Sequence, residues 1–414
     1  MEELLAQLRD PDPARRREAA ESLGAMKERA AVPYLTQALR DPDRGVKDAA
    51  AEALVQIGGE GVAAEVVELL GDEDIEVRNL AMDVLVNLGE AALGPVIRVL
   101  GHPDPDVRKF AADILGWLGE PKAVDPLIEA LEDPDPNVVC AAVEALGHIG
   151  DPKAVGPLKR VCSRLEDARP LVVDALGEIG TPEAIDVLLE AVDRDDPSVA
   201  LAAVEALGKV GDERALKVLS EKADRSEYNT FTAPVWATAL YNIAERCGMD
   251  FWDLVEEHGW EELVRQAVLG DEEGEVAEWV KAGLSGKRAG FVVGILAPIA
   301  AKLPPELKVS WIDAAEGICV PEALAGLEDL FAEEPQIAYR AVRAVGKIGG
   351  AGALDVLVKA LESKDILVRI AAVQALGDLG DSKALSVLWP LTEEDNPDIA
   401  QAARKSIERI RYGS

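Results

Sequence analysis

Histidine is nearly absent from this 414-residue chain: three occur, at His102, His148 and His258. Metal centres and acid–base chemistry built on imidazole therefore lose their commonest side chain. No H-E-x-x-H occurs, no two cysteines stand at zinc spacing, and no metal or cofactor is expected. Cys140, Cys162, Cys247 and Cys319 form no C-x-x-C pair, so they read as reduced thiols of a cytoplasmic protein. Positive charge is scarce: 43 basic against 77 acidic side chains leave a formal net charge of −34. Such a surface repels phosphate backbones and anionic headgroups, which argues against nucleic acid and membrane as partners. The longest apolar run, AGFVVGILAPIAA from Ala289, has 13 residues, where a membrane span needs about 20. The opening MEELLAQLRD lacks the apolar stretch of a secretory leader.

What is present is helix-forming and periodic. Alanine, leucine, glutamate and valine dominate, while aromatics make up only 4%. VEALGHIGD ends at Asp151 and VEALGKVGD at Asp212, with VDALGEIGT ending at Thr181 between them. The closing glycines Gly58, Gly89, Gly119, Gly150, Gly180 and Gly211 lie 31 or 30 residues apart, and Gly349 and Gly380 resume the step. A period of this length signals stacked supersecondary units. Each period encodes two helices. PKAVDPLIEALED, from about Pro121 to Glu132, spaces Val124, Leu127, Ile128 and Leu131 as the apolar face of a helix A. Asp135-Pro136 then supplies an N-cap and a first-turn proline for helix B, NVVCAAVEALGHIG. The closing glycine ends it.

This grammar, carried by PDPDVRKFAADILGWLG around Asp104 and by ILVRIAAVQALGDLG, resembles the HEAT-repeat family, in particular the short repeats of the phycobilisome-lyase type. The resemblance covers roughly Met1–Ala244 and Pro321–Ser414. It implies an all-α fold, an α-α superhelix, here with an irregular helical centre. The family includes scaffolds, adaptors, chromophore lyases and an iron hydroxylase that relies on His-Glu pairs. No His-Glu dipeptide occurs in this chain, so that iron site does not carry over. A lyase-like role would need a basic cluster for tetrapyrrole propionates, and none is evident.

The period fails in the centre, which divides the chain into residues 1–222, 223–320 and 321–414. Eleven of the 17 aromatics fall between Tyr228 and Phe331. Helical segments there include FWDLVEEHGWEELVRQAVL and EEGEVAEWVKAGL, and core filling is the expected role of their tryptophans. GLSGKRAG, around Gly286 and Lys287, departs from the phosphate-loop motif at two positions and reads as a helix–helix turn. Arg16, Lys47, Arg78, Arg108 and Arg369 each follow an N-cap aspartate by four positions, a spacing that suits structural ion pairs.

One feature exceeds what the fold requires. With Leu146 at the centre of the buried face, Glu144 lies about 160° away and His148 about 200° away. Both face solvent. The equivalents of Glu144 are Glu21, Glu52, Asp83, Asp113, Asp174 and Glu205, an acid in seven consecutive repeats. The C-terminal repeats hold Arg343, Gln374 and Lys405 there instead. Trp117 occupies the site equivalent to His148, an aromatic where water is expected. By the resemblance, helix B lines the concave side. The expectation is a non-catalytic protein-binding scaffold whose acidic groove holds a basic segment of another protein. A chromophore-lyase-like protein or a subunit of an enzyme complex is the alternative.

Overall fold

The computed structural model describes residues 1–193, 196–224 and 228–412. Among them every regular element is helical. Two compact units emerge, Met1–Ala215 and Leu216–Ser414.

In the first unit the B helices are α1 (Pro13–Ala25), α2 (Arg44–Ile57), α3 (Ile75–Asn87), α4 (Pro105–Leu118), α5 (Pro136–Ile149), α6 (Arg169–Ile179) and α7 (Pro197–Val210). Their starts are chemically defined. Asp104 accepts the Asp106 N–H at 2.9 Å and Asp135 accepts the Asn137 N–H at 2.8 Å. Each cap satisfies one of the orphan donors of a helix end. The closing residues Gly119 and Gly150 adopt left-handed φ of 66° and 73°, a region that glycine enters without steric cost. The A helices differ slightly from expectation. The segment predicted as one helix from Pro121 opens as a 3₁₀ turn, Pro121–Ala123, before the α-helix Val124–Ala130.

Two devices set the stacking. The first is the basic residue in the first turn of helix B. Arg108 makes a two-pronged contact with Asp133 of the next repeat, at 2.7 and 2.8 Å, and also bonds the His102 and Pro103 carbonyls. Arg16 repeats this geometry with Asp41 at the same two distances. Lys47 pairs with Glu76, and Arg369 with Glu394 in the second unit. The Arg108 guanidinium, outweighing the opposing effect of burial, holds the Asp133 carboxyl below its ordinary range. These cations bind the stack together and leave no ladder for an outside anion.

The second device is a small-residue contact. A Cβ added at Gly116 would stand 2.8 Å from the Cα of Ala145, and one at Gly147 would stand 2.8 Å from that of Ala175. Consecutive B helices therefore meet almost backbone to backbone at α4/α5 and α5/α6. The corresponding register positions across α2, α3 and α4 are Val55, Val84, Val86 and Ile114, and there the helices pack less closely. Side-chain volume at one position thus sets the local spacing.

The second unit opens with α8 (Ala233–Arg246), α9 (Phe251–His258), α10 (Glu261–Leu269), α11 (Glu275–Ser285), α12 (Ala289–Leu296) and α13 (Pro305–Ile318). The run FWDLVEEHGWEELVRQAVL, read as one helical stretch, is two helices broken at Gly259, whose φ is 72°. The GLSGKRAG segment is the turn from α11 into α12, with a helix and no strand before it. The period resumes in α14 (Pro335–Ile348), α15 (Ile366–Leu379) and α16 (Pro397–Tyr412). Trp252, Trp260, Trp279 and Trp311 are all buried, so these four central tryptophans fill core, while Trp236 is half-buried. Trp260 donates its indole N–H to Asp224 at 2.8 Å, and Trp311 donates to the Val293 carbonyl at 3.0 Å. His258 stacks on Trp260 and meets the same Asp224 carboxylate at 3.1 Å.

Candidate partner-binding face

Helix B presents its buried stripe to helix A and to the neighbouring B helices, so positions opposite Leu146 have nowhere to go but outward. Glu21, Glu52, Asp83, Glu144, Asp174 and Glu205 are exposed, as are Trp117 and His148. Asp113 differs. It is half-buried because Lys109, one turn earlier, bonds it at 2.8 Å. The His148 Nε2 lies 3.8 Å from Glu178, the equivalent position on the next helix. The outward positions of α5 and α6 therefore lie side by side.

How the acids are neutralised separates the two faces of the unit. On the A helices, several acids pair with cations of a neighbouring repeat: Glu90 with Lys122 at 2.7 Å, Glu190 with Lys159 at 2.7 Å, Asp186 with Arg214 at 2.8 Å. Along the outward row of the B helices the compensation is local or missing. Glu21 pairs with Arg17 and Glu205 with Lys209, each within one helical turn. Glu52 accepts from Gln56 at 3.2 Å. Among the described residues no ion pair forms at Asp83, Glu144 or Asp174. Burial first, and the nearby Glu205 second, push the Asp174 carboxyl above its ordinary range. Burial and then Glu144 likewise push the Cys140 thiol up. Asp174 and Glu205, on successive repeats, thus feel one another, with Lys209 acting on Asp174 in the opposite sense.

In the second unit the equivalent positions Arg343, Gln374 and Lys405 are exposed. Arg343 borders an open cavity of about 650 Å³ together with Tyr339, Arg340 and Leu367. Tyr339 and Leu367 are 38% and 64% exposed. This feature escapes the sequence reading because its parts lie on three helices, α13, α14 and α15. Among the described residues, no cluster of three or more His, Cys, Asp or Glu is arranged to hold a metal. No helix among them is long and apolar enough to cross a membrane.

Several solved structures are similar. An engineered protein is 21% identical, over 100% of this chain and 99% of that chain, with a TM-score of 0.23. The complex of CpcE and CpcF of phycocyanin lyase from Nostoc sp. PCC7120 is 24% identical, over 53% of this chain and 91% of that chain, with a TM-score of 0.28. A structure of Kap95p with RanGDP is 13% identical, over 99% of this chain and 66% of that chain, with a TM-score of 0.46. A search of curated proteins finds no match. The HEAT-repeat model matches residues 1–86, 93–169, 163–235 and 320–408. With most of its length matched, helix pair by helix pair, the chain belongs to the HEAT-repeat family.

Proposed function

We propose that this protein is a binding scaffold whose first unit holds a basic segment of another protein along the exposed face of its B helices. The observation that carries the reading is the contrast in compensation. Glu90, Glu190 and Asp186 on the A helices are tied to cations of a neighbouring repeat, while Asp83, Glu144 and Asp174 form no ion pair among the described residues. A row of carboxylates one repeat apart attracts and registers a polycation.

Two further features support the reading. At α1/α2, α4/α5 and α5/α6 the B helices approach one another more closely than the A helices do, which favours the B layer as the inner, concave one. Trp117 is 56% exposed on that layer, where an aromatic serves a partner better than it serves the fold. The acids set the encounter rate and Trp117 resists departure.

Titrating the full chain with a lysine- and arginine-rich peptide tests the reading. Trp117→Ala is expected to cost about 2 kcal/mol of affinity, mainly through a faster off-rate, with an unchanged circular dichroism spectrum. Equal affinities for the two proteins would remove Trp117 from the site.

A further inference from the structure

The closing B helices of the second unit carry the opposite charge from the rest of the chain. Together α14, α15 and α16 hold eight basic and three acidic side chains, in a protein of net charge −34, and α14 holds no acid at all. These helices meet closely. A Cβ added at Gly346 would stand 2.7 Å from that of Ala375, and one at Gly377 would stand 2.6 Å from that of Ser406. The outward positions Arg343, Gln374 and Lys405 are therefore neighbours, on axes about 8 Å apart.

Compensation here runs the other way from the first unit. Asp313 accepts from Arg340 at 3.1 Å, Glu316 pairs with Lys347, and Asp378 pairs with Arg409. Each of these acids is matched by a cation of the next helix. Arg343 and Lys405 are exposed and form no ion pair among the described residues. Glu408 flanks Lys405 and Asp398 opens α16, so the cationic surplus is greatest at Arg343.

Beside Arg343 lies the open cavity bounded by α13, α14 and α15, with Tyr339 and Leu367 as its apolar lining. Leu367 is anomalous. It is the second residue after its N-cap, Asp365, a place held by Asp106, Asn137, Ser198 and Asp398 in other B helices. Those polar side chains suit water, whereas the leucine stands largely exposed, next to the equally exposed Ile366. The fold gains nothing from it there.

We propose that this face binds a short acidic segment of another protein through one bulky apolar side chain. That side chain enters the cavity between Tyr339 and Leu367, and flanking carboxylates pair with Arg343 and, farther along, with Lys405. A long polyanion fits less well, since beyond the patch it meets the acids that dominate the chain. The surface lies wholly within the second unit and is independent of the acidic face of the first.

Fluorescence anisotropy on the full chain tests it with three probes: a short labelled polyglutamate peptide with a central leucine, the same peptide with serine in place of the leucine, and a short DNA duplex. The leucine peptide is expected to bind saturably and several-fold more tightly than the serine peptide, with affinity falling as salt rises. Arg343→Glu, at an exposed position, should weaken it by about tenfold. Leu367→Asn installs the residue that α5 carries at this place and should bring the two peptides to equal affinity. If Leu367→Asn fails to fold, Tyr339→Ser tests the wall in its place and should narrow the same gap. No saturable binding of the leucine peptide, equal binding of the serine peptide, no response to Arg343→Glu, or tighter binding of the duplex would each overturn the proposal.

Discussion

The repeats of Met1–Ala215 and the opening helices of Leu216–Ser414 solve one packing problem with different side chains. In the first unit alanine and glycine let backbones touch, aliphatics fill the gap between layers, and the cations Arg16, Lys47 and Arg108 cross to the next repeat. In the second, helices of unequal length leave larger gaps, which tryptophans fill. A tryptophan brings a polar N–H that must find an acceptor, and the acceptor is idiosyncratic: Asp224 for Trp260, the Val293 carbonyl for Trp311. Small-residue packing can be copied from repeat to repeat, whereas packing with polar handles cannot. That is why the 31-residue step dies where the aromatics begin.

Five changes probe this contrast, from the largest expected effect to the smallest. Trp311→Ala removes a fully buried side chain and orphans the Val293 carbonyl, for a loss of about 3–5 kcal/mol in denaturant unfolding. Arg108→Ala leaves Asp133 buried without its partner, for a loss of about 3 kcal/mol. Because Arg108 lowers the folded-state pKa of Asp133, this pair stabilises fully above the unfolded value of about 3.9 and less as pH falls through the lower folded value. In Arg108→Ala that acid-side loss of stability should flatten. Gly147→Ala forces apart α5 and α6 and should cost about 1–3 kcal/mol. Gly61→Ala, with open space around its new Cβ, should be neutral or add about 0.5–1 kcal/mol. Lys122→Ala breaks an exposed pair with Glu90 and should change stability by less than about 1 kcal/mol.

Local chemistry made much of the fold legible in the sequence. Asp135-Pro136 marked a helix start and Gly150 a helix end because caps depend on residues a turn apart. The outward direction of Glu144 and His148 followed from helical angles alone. The cation after each cap was legible as structural, but its partner, 25 residues on for Arg108 and Asp133, had to be seen in space. The break at Gly259 was hidden because apolar spacing runs through it. Asp113 read as one more exposed acid, although Lys109 stands at the spacing that covers it. Nor could the sequence show which acids keep a cation from the next repeat, since that depends on helix spacing. The cavity beside Tyr339 draws on three helices, so no local pattern announces it.

The central claim is that the B-helix face of the first unit attracts a basic partner electrostatically. Its most direct test is the association rate of a lysine- and arginine-rich peptide, measured by stopped flow at low and at high salt. Wild-type protein is compared with Glu144→Lys, whose exposed position leaves folding intact. The account predicts fast association that slows with salt, and a slower on-rate for Glu144→Lys at low salt that converges with wild type as salt rises. An on-rate indifferent to both salt and Glu144→Lys, with binding abolished instead by changes at Tyr339 and Leu367, would contradict it and move the partner to the second unit.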